Sequence, residues 1–178
     1  MKKIIFVIIV CISAILYCSC SDQTYANLVK QENQLIQDYV NTHPGFTPLN
    51  DGMYFRLLSK GEGETNPNAD TIKAGNMAII RFVAYTLTTP QDSISNWTST
   101  DFQTPPQFVY GSSSLPCQAW LTAIPLMKYQ NSIAEIIAPS RTGFSSYANS
   151  YALANWGVAD DATTVTPRLY KLKLQFEK

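Results

Sequence analysis

The chain has a single histidine, and that scarcity removes whole classes of chemistry. A Ser–His–Asp or Cys–His site has to use His43, which stands just before Pro44-Gly45 in a predicted helix exit. A solvated or helix-capping histidine is the simpler reading there. Metal binding is not expected either, because no set of His, Cys and carboxylates has ligand-like spacing. No Gly-rich phosphate loop is present, and no cofactor is expected.

Cysteine is scarce where a disulfide would need it. Cys11, Cys18 and Cys20 crowd the first twenty residues, and only Cys117 lies beyond them. An intrachain disulfide is therefore excluded for the rest of the chain, and the fold has to stand on packing. Cys117 reads as a half-buried small hydrophobe near a helix start. An excess of one charge is also lacking, with 13 basic and 13 acidic residues. Without a basic stripe, nucleic acid is not an expected partner. Asp160-Asp161 is a paired-acid candidate for acid–base work, but it reads as a loop turn.

What is present begins with a leader-like segment. Lys2 and Lys3 form a basic start, and residues 4–16 form an apolar run of secretory-signal length. The run meets Tyr17-Cys18-Ser19-Cys20, which resembles a bacterial lipobox with an unusual first residue, Tyr17. Residues 1–19 are expected to be a lipoprotein signal peptide and Cys20 the lipidation site. An uncleaved membrane anchor is the alternative, since the run is close to spanning length. The polar Ser21-Asp22-Gln23-Thr24 directly after Cys20 favours cleavage. The expected location is the cell envelope, held to the outer membrane by lipid, on its periplasmic or its surface face.

Residues 20–46 predict a tether and an amphipathic helix. Between residues 25 and 40, Tyr25, Leu28, Val29, Leu35, Ile36, Tyr39 and Val40 fall mostly on one face, and Lys30, Glu32, Asn33 and Gln37 fill the rest. This helix is either a spacer or cap on the domain surface, or a partner-binding or dimerising element. From Gly52 the period changes to two. Strands are predicted over 53–58, 77–87, 108–110, 132–138 and 170–176, with a short helix from 115 to 127. Residues 89–107 read as polar and irregular. The pattern is α+β, an antiparallel sheet folded around one helix. The loop 140–166 carries Phe144, Tyr147, Tyr151 and Trp156, too aromatic for a disordered linker, and is expected to fold over a pocket mouth.

The order of several short motifs resembles the FKBP-type peptidyl-prolyl isomerase family over residues 52–178. Gly52-Met53-Tyr54-Phe55 is similar to the family's first Gly-Leu-Tyr strand, and Lys73-Ala74-Gly75-Asn76 to its Lys-x-Gly-Asp turn. Ile80-Arg81-Phe82-Val83-Ala84 stands for Val-His-Tyr-Thr-Gly, and Pro105-Pro106-Gln107-Phe108-Val109-Tyr110-Gly111 for Pro-Phe-x-Phe-x-Leu-Gly. Leu115-Pro116-Cys117-Gln118-Ala119-Trp120, with Met127 seven residues on, resembles Ile-Pro-Gly-Trp and its Met. The final strand resembles Thr-Leu-Val-Phe-Asp-Val-Glu-Leu and places Tyr170 at the pocket aromatic. Exported, helix-bearing lipoproteins of this kind resemble those of Bacteroidetes.

The resemblance implies an FKBP-like domain over 47–178, an antiparallel half-barrel wrapped around a short helix and preceded by the N-terminal helix. It implies Trp120 as the pocket floor, with Phe82, Phe108, Leu115 and Tyr170 as walls. Tyr147 or Tyr151 would supply a hydroxyl donor, because Arg141-Thr142-Gly143-Phe144 replaces the family's Ala-Tyr-Gly. Asn96-Trp97 stands where the family has Phe-Asp, which puts Trp97 near the pocket in place of a carboxylate. Such a site needs no nucleophile. The barrier to prolyl rotation, about 18–20 kcal/mol, comes from amide resonance, and a dry aromatic pocket can favour the twisted imide. Two functions stay open: a prolyl isomerase acting on proline-containing segments of envelope proteins, or a non-catalytic peptide-binding or assembly module. The same aromatic residues also suit an ordinary core.

Overall fold

Two periodicities divide the chain. The computed structural model describes residues 20–87, 93–95, 105–112, 117–143 and 165–178. Helix α1 (Cys20–Thr42) leads to strands β1 (Thr47–Pro48), β2 (Tyr54–Ser59), β3 (Met77–Thr86), β4 (Ser93–Ser95) and β5 (Gln107–Val109). Helix α2 (Gln118–Met127), β6 (Ile133–Ala138), the short helical turn α3 (Ser140–Gly143) and β7 (Arg168–Glu177) follow. The strands form one antiparallel sheet in the order β1-β2-β6-β7-β3-β4. Strand β5 pairs with residues 77–79 of β3, and β4 with residues 83–85.

Alternation builds the centre. In β7, Tyr170, Leu172, Leu174 and Phe176 point to one face, and they lie opposite Ala84, Phe82, Ile80 and Ala78 of β3. Ala134, Ile136 and Ala138 of β6 continue that face. Helix α2 lays Ala119, Trp120, Ala123, Ile124 and Met127 into it. Trp120 and Met127 are seven residues apart, about two helical turns, so both reach the same core. Each such side chain contributes roughly 1.5–3 kcal/mol on burial.

The opposite face of the sheet is covered by α1. Ile36 packs with Ile137 and Leu169, flanked by the half-buried Tyr39, Val40, Phe46, Tyr54 and Tyr85. Beside them Arg56 of β2 bonds Glu135 of β6, its register partner, through Nε at 3.0 Å and Nη2 at 2.5 Å. The same guanidinium donates to Pro44 O at 2.8 Å and lies 4.4 Å from the Phe46 ring centre. The helix ends as Thr42 Oγ1 turns back on Asp38 O at 2.9 Å and Gly45 takes a φ of 97°.

Several sequence expectations need correction. Residues 21–24 are not a tether but part of α1. Leu35, placed on its apolar face, is 36% exposed, whereas Glu32, assigned to the polar side, is buried at 1%. The sheet has seven strands rather than five, because β1 and β4 are two- and three-residue segments too short to show a period. Residues 93–95 therefore form a strand inside the stretch read as irregular. Ser140–Gly143 is helical rather than loop, and α2 begins at Gln118 rather than at 115. The remainder of the expected lid, 144–164, lies outside the described residues, as do Asp160 and Asp161.

Candidate functional site

Three of the candidate aromatics meet on the α2 face. Trp120 is the third residue of α2, and its ring centre lies 5.1 Å from Phe82 at 55° and 6.0 Å from Tyr170 at 87°. Sequence separation puts these residues on three different elements, and register explains how they converge. Tyr170 stands between Ala84 and Ile136, and Phe82 opposite Leu172, so both rings project toward the helix. The small Ala84 and Ala138 beside Tyr170 leave room for its phenol. Edge-to-face contacts of this kind add about 0.5–1.5 kcal/mol beyond buried area.

The polar ends of these rings differ. Trp120 is 2% exposed, and its indole Nε1 has no hydrogen-bond partner among the described residues. A buried N–H without an acceptor costs about 1–3 kcal/mol, which makes it an uncommon feature of a plain core. The Tyr170 hydroxyl is committed, donating to Gly143 O at 3.0 Å. A Cβ on Gly143 would sit 3.0 Å from that hydroxyl oxygen, so turn and phenol are packed directly together. Phe108 belongs to the same core but pairs with Ala78, at the far end of β3 from Phe82's partner row. Among the described residues, the ring contacts of Trp120 are with Phe82 and Tyr170 only. Leu115, Trp97, Tyr147 and Tyr151 lie outside the described residues.

Cys117 sits at the N-cap of α2 and is fully buried rather than half-buried. Burial pushes its thiol up to about 12, against smaller opposing hydrogen bonds from the Trp120 and Ala119 backbone. It is protonated at neutral pH and is no nucleophile. His43 stacks on Tyr39 at 3.9 Å, with Nδ1 2.9 Å from Tyr39 O, and helps close the end of α1. Among the described residues no three His, Cys, Asp or Glu side chains gather as metal ligands. None of the described helices is long and apolar enough to cross a membrane. A groove of about 360 Å³ opens elsewhere, between the end of β2 and the turn at Gly63 and Glu64, lined by Leu57, Leu58, Ser59 and Lys60. Among the described residues that line it there is neither an aromatic ring nor a paired acid.

Two residues escaped the sequence reading. Glu32 accepts, through Oε1, the Ser140 N–H at 2.5 Å. The signal for it was present: Glu32 stands four residues after Leu28 and four before Ile36, on the buried stripe of α1. Arg141 bonds the carbonyl of Asp51 at 2.8 Å, and Asp51 adopts a left-handed φ of 58°. Gln118 Nε2 reaches the Asp51 carboxylate at 3.4 Å. No local pattern announces that cluster, because its members come from three separate segments.

A half-open antiparallel sheet wrapped around one short, Trp-bearing helix defines an FKBP-like fold. Three solved structures share it. A peptidyl-prolyl cis-trans isomerase from Pseudomonas syringae pv. tomato is similar at a TM-score of 0.55 and 15% identity, over 86% of this chain and 96% of that one. FkpA from Escherichia coli gives a TM-score of 0.55 and 10% identity, over 98% of this chain and 72% of that one. A DUF4827 family protein from Parabacteroides distasonis gives 0.55 and 16% identity, over 86% and 96%. At these identities the likeness is one of fold. No protein-family model and no curated protein matches the sequence.

Proposed function

We propose that the chain is an exported, lipid-anchored FKBP-like domain that binds proline-containing segments of envelope proteins at Trp120 and catalyses their cis–trans isomerisation. One observation carries the reading: the meeting of Phe82 and Tyr170 on Trp120, an aromatic whose buried indole N–H has no acceptor among the described residues. A prolyl ring is an apolar guest for such a floor, and its flanking carbonyls are acceptors. Desolvating the imide favours the twisted form, which has lost amide resonance. The fold shared with an isomerase from Pseudomonas syringae supports the reading. The lipobox-like Tyr17-Cys18-Ser19-Cys20 supports the anchor.

A second reading, peptide binding without catalysis, is favoured by the Tyr170 hydroxyl. It is held by Gly143 O, and Gly143 belongs to the Arg141-Thr142-Gly143-Phe144 stretch that replaces the family's Ala-Tyr-Gly. A protease-coupled cis/trans assay on Xaa-Pro tetrapeptides separates the two. Wild-type catalysis that falls at least tenfold in a folded Trp120→Leu variant is the expected result. A folded wild type with no catalysis sinks the isomerase and leaves the binding module.

A further inference from the structure

We infer that Glu32 is a positioning residue that latches helix α1 to the aromatic site through the turn α3, so that undocking α1 opens Trp120 to solvent. Four contacts in series carry this. The Glu32 carboxylate, buried at 1%, accepts the N–H of Ser140, the first residue of α3. That N–H is one of those a helical turn leaves without an internal partner. A buried carboxylate is tolerated only when its lone pairs are satisfied, so Glu32 and Ser140 hold one another. Within the turn, the N–H groups of Thr142 and Gly143 both donate to Pro139 O, at 2.9 and 3.0 Å, and the Thr142 hydroxyl joins them at 3.1 Å. The turn therefore moves as a unit. At its far end Gly143 O accepts the Tyr170 hydroxyl, and Tyr170 meets Trp120 edge-on.

The geometry spans both faces of the sheet. Glu32 belongs to the α1 side, with Ile36, Ile137 and Leu169, whereas Tyr170 and Trp120 belong to the α2 side. The turn follows directly on the end of β6 and ties one layer to the other. Helix α1 is the element able to let go, because among its described side chains one apolar residue, Ile36, is fully buried, beside the latched Glu32 and amid half-buried neighbours. Elements with little buried apolar contact open at lower free energy than the core. Docked, α1 keeps the turn down on Tyr170. Released, it frees Ser140, the turn lifts, and the phenol loses its acceptor.

Opening of the site is separable from what the site binds, so the latch is tested apart from isomerase activity. Hydrogen exchange of the Trp120 indole N–H reports the opening directly, because burial rather than a hydrogen bond to any described residue protects that group. Its NMR signal is assigned by its loss in Trp120→Phe, and the backbone amide of Leu172 serves as the reference for global unfolding. In the full chain, Glu32→Ala is expected to speed indole exchange at least tenfold relative to Leu172. Glu32→Gln, which keeps an acceptor oxygen, stays within about twofold of wild type. Tyr170→Phe, which cuts the other end of the latch, matches Glu32→Ala, and the double variant adds nothing further. If Glu32→Ala does not fold, Glu32→Asp, which draws the oxygen back from Ser140, is read on the same scale. An unchanged indole rate, or indole and Leu172 rates rising together, overturns the latch.

Discussion

The two faces of the sheet are built by different rules. On the α2 side, Ile80, Phe82, Ile136, Leu172 and Leu174 meet Trp120, Ile124 and Met127, all essentially without exposure, and among the described residues the one unmet buried polar side-chain atom is an indole N–H. On the α1 side the helix buries one isoleucine, Ile36, on Ile137 and Leu169, and around them stand half-buried tyrosines, a buried carboxylate and the Arg56–Glu135 pair. The first face supplies most of the stability and also the aromatic set, so the proposed binding floor and the core coincide at Trp120. The second face contributes less and can adjust. If Trp120 is the floor of the proposed site, that site has to be opened from outside, by the layer that is easier to move.

That contrast is sharpened most by deleting one buried residue from each face. Leu172→Ala should cost about 3–5 kcal/mol, because its neighbours on β3, β6 and α2 are locked and leave a cavity. Ile36→Ala should cost about 2 kcal/mol, the low end for such a change, since half-buried Tyr39 and Val40 can settle into the gap. Denaturant unfolding of both variants gives the comparison. Equal losses would mean that α1 is as much core as β7.

Alkali gives the next effect. The Cys117 thiol is pushed up to about 12 by burial, while in the unfolded chain it ionises near 9.0. The unfolded state therefore releases its proton first, and stability falls as pH rises between those values, by at most about 1.4 kcal/mol per unit. The contribution is intact below pH 9. Tyr39, raised chiefly by burial and then by Glu135, acts in the same direction above its ordinary range. Cys117→Ala should flatten the slope measured by denaturation at several alkaline pH values, leaving the tyrosine part. Thiol reagents at pH 8 should label Cys117 only as fast as the protein unfolds. Rapid labelling of the folded protein would place that thiol at an open surface and break the picture of a sealed α2 face.

How much of this was legible depended on the length of the signal. Strand β7 announces itself because its alternation runs through Leu172, Leu174 and Phe176, and the Trp120–Met127 interval matches two turns of helix. Strands β1 and β4 were invisible, since two or three residues cannot display a period and their role is backbone pairing. The meeting of Phe82, Trp120 and Tyr170 was legible only through the resemblance. Spacing in sequence says nothing about which rows of a sheet face one helix. Glu32 was misread because a carboxylate was sorted by its charge rather than by its place on the stripe. The partner that justifies its burial, the Ser140 N–H, lies 108 residues away.

The smallest expected effects separate two ion pairs that look alike in a contact list. Arg56–Glu135 has side chains 25% and 13% exposed, whereas Lys178–Asp70 has 71% and 62%. The first pair is backed by the Pro44 carbonyl and the Phe46 ring, so Arg56→Ala removes two acceptor contacts and a cation–π contact together, about 1–2 kcal/mol. In the second, Lys178 draws the Asp70 carboxyl below its ordinary value through a hydrogen bond and its charge. A lowered carboxyl adds stability above the ordinary carboxylate range and loses it on acidification. Both groups stand in water, however, where screening and side-chain entropy cancel nearly all of the gain. Lys178→Ala should therefore leave the unfolding midpoint unmoved at neutral pH and at pH 3, while Arg56→Ala lowers it at either salt concentration, 0.05 or 0.5 M. An Arg56→Ala effect that vanishes at high salt would show that the α1 face is held by exposed charge and not by packed contact.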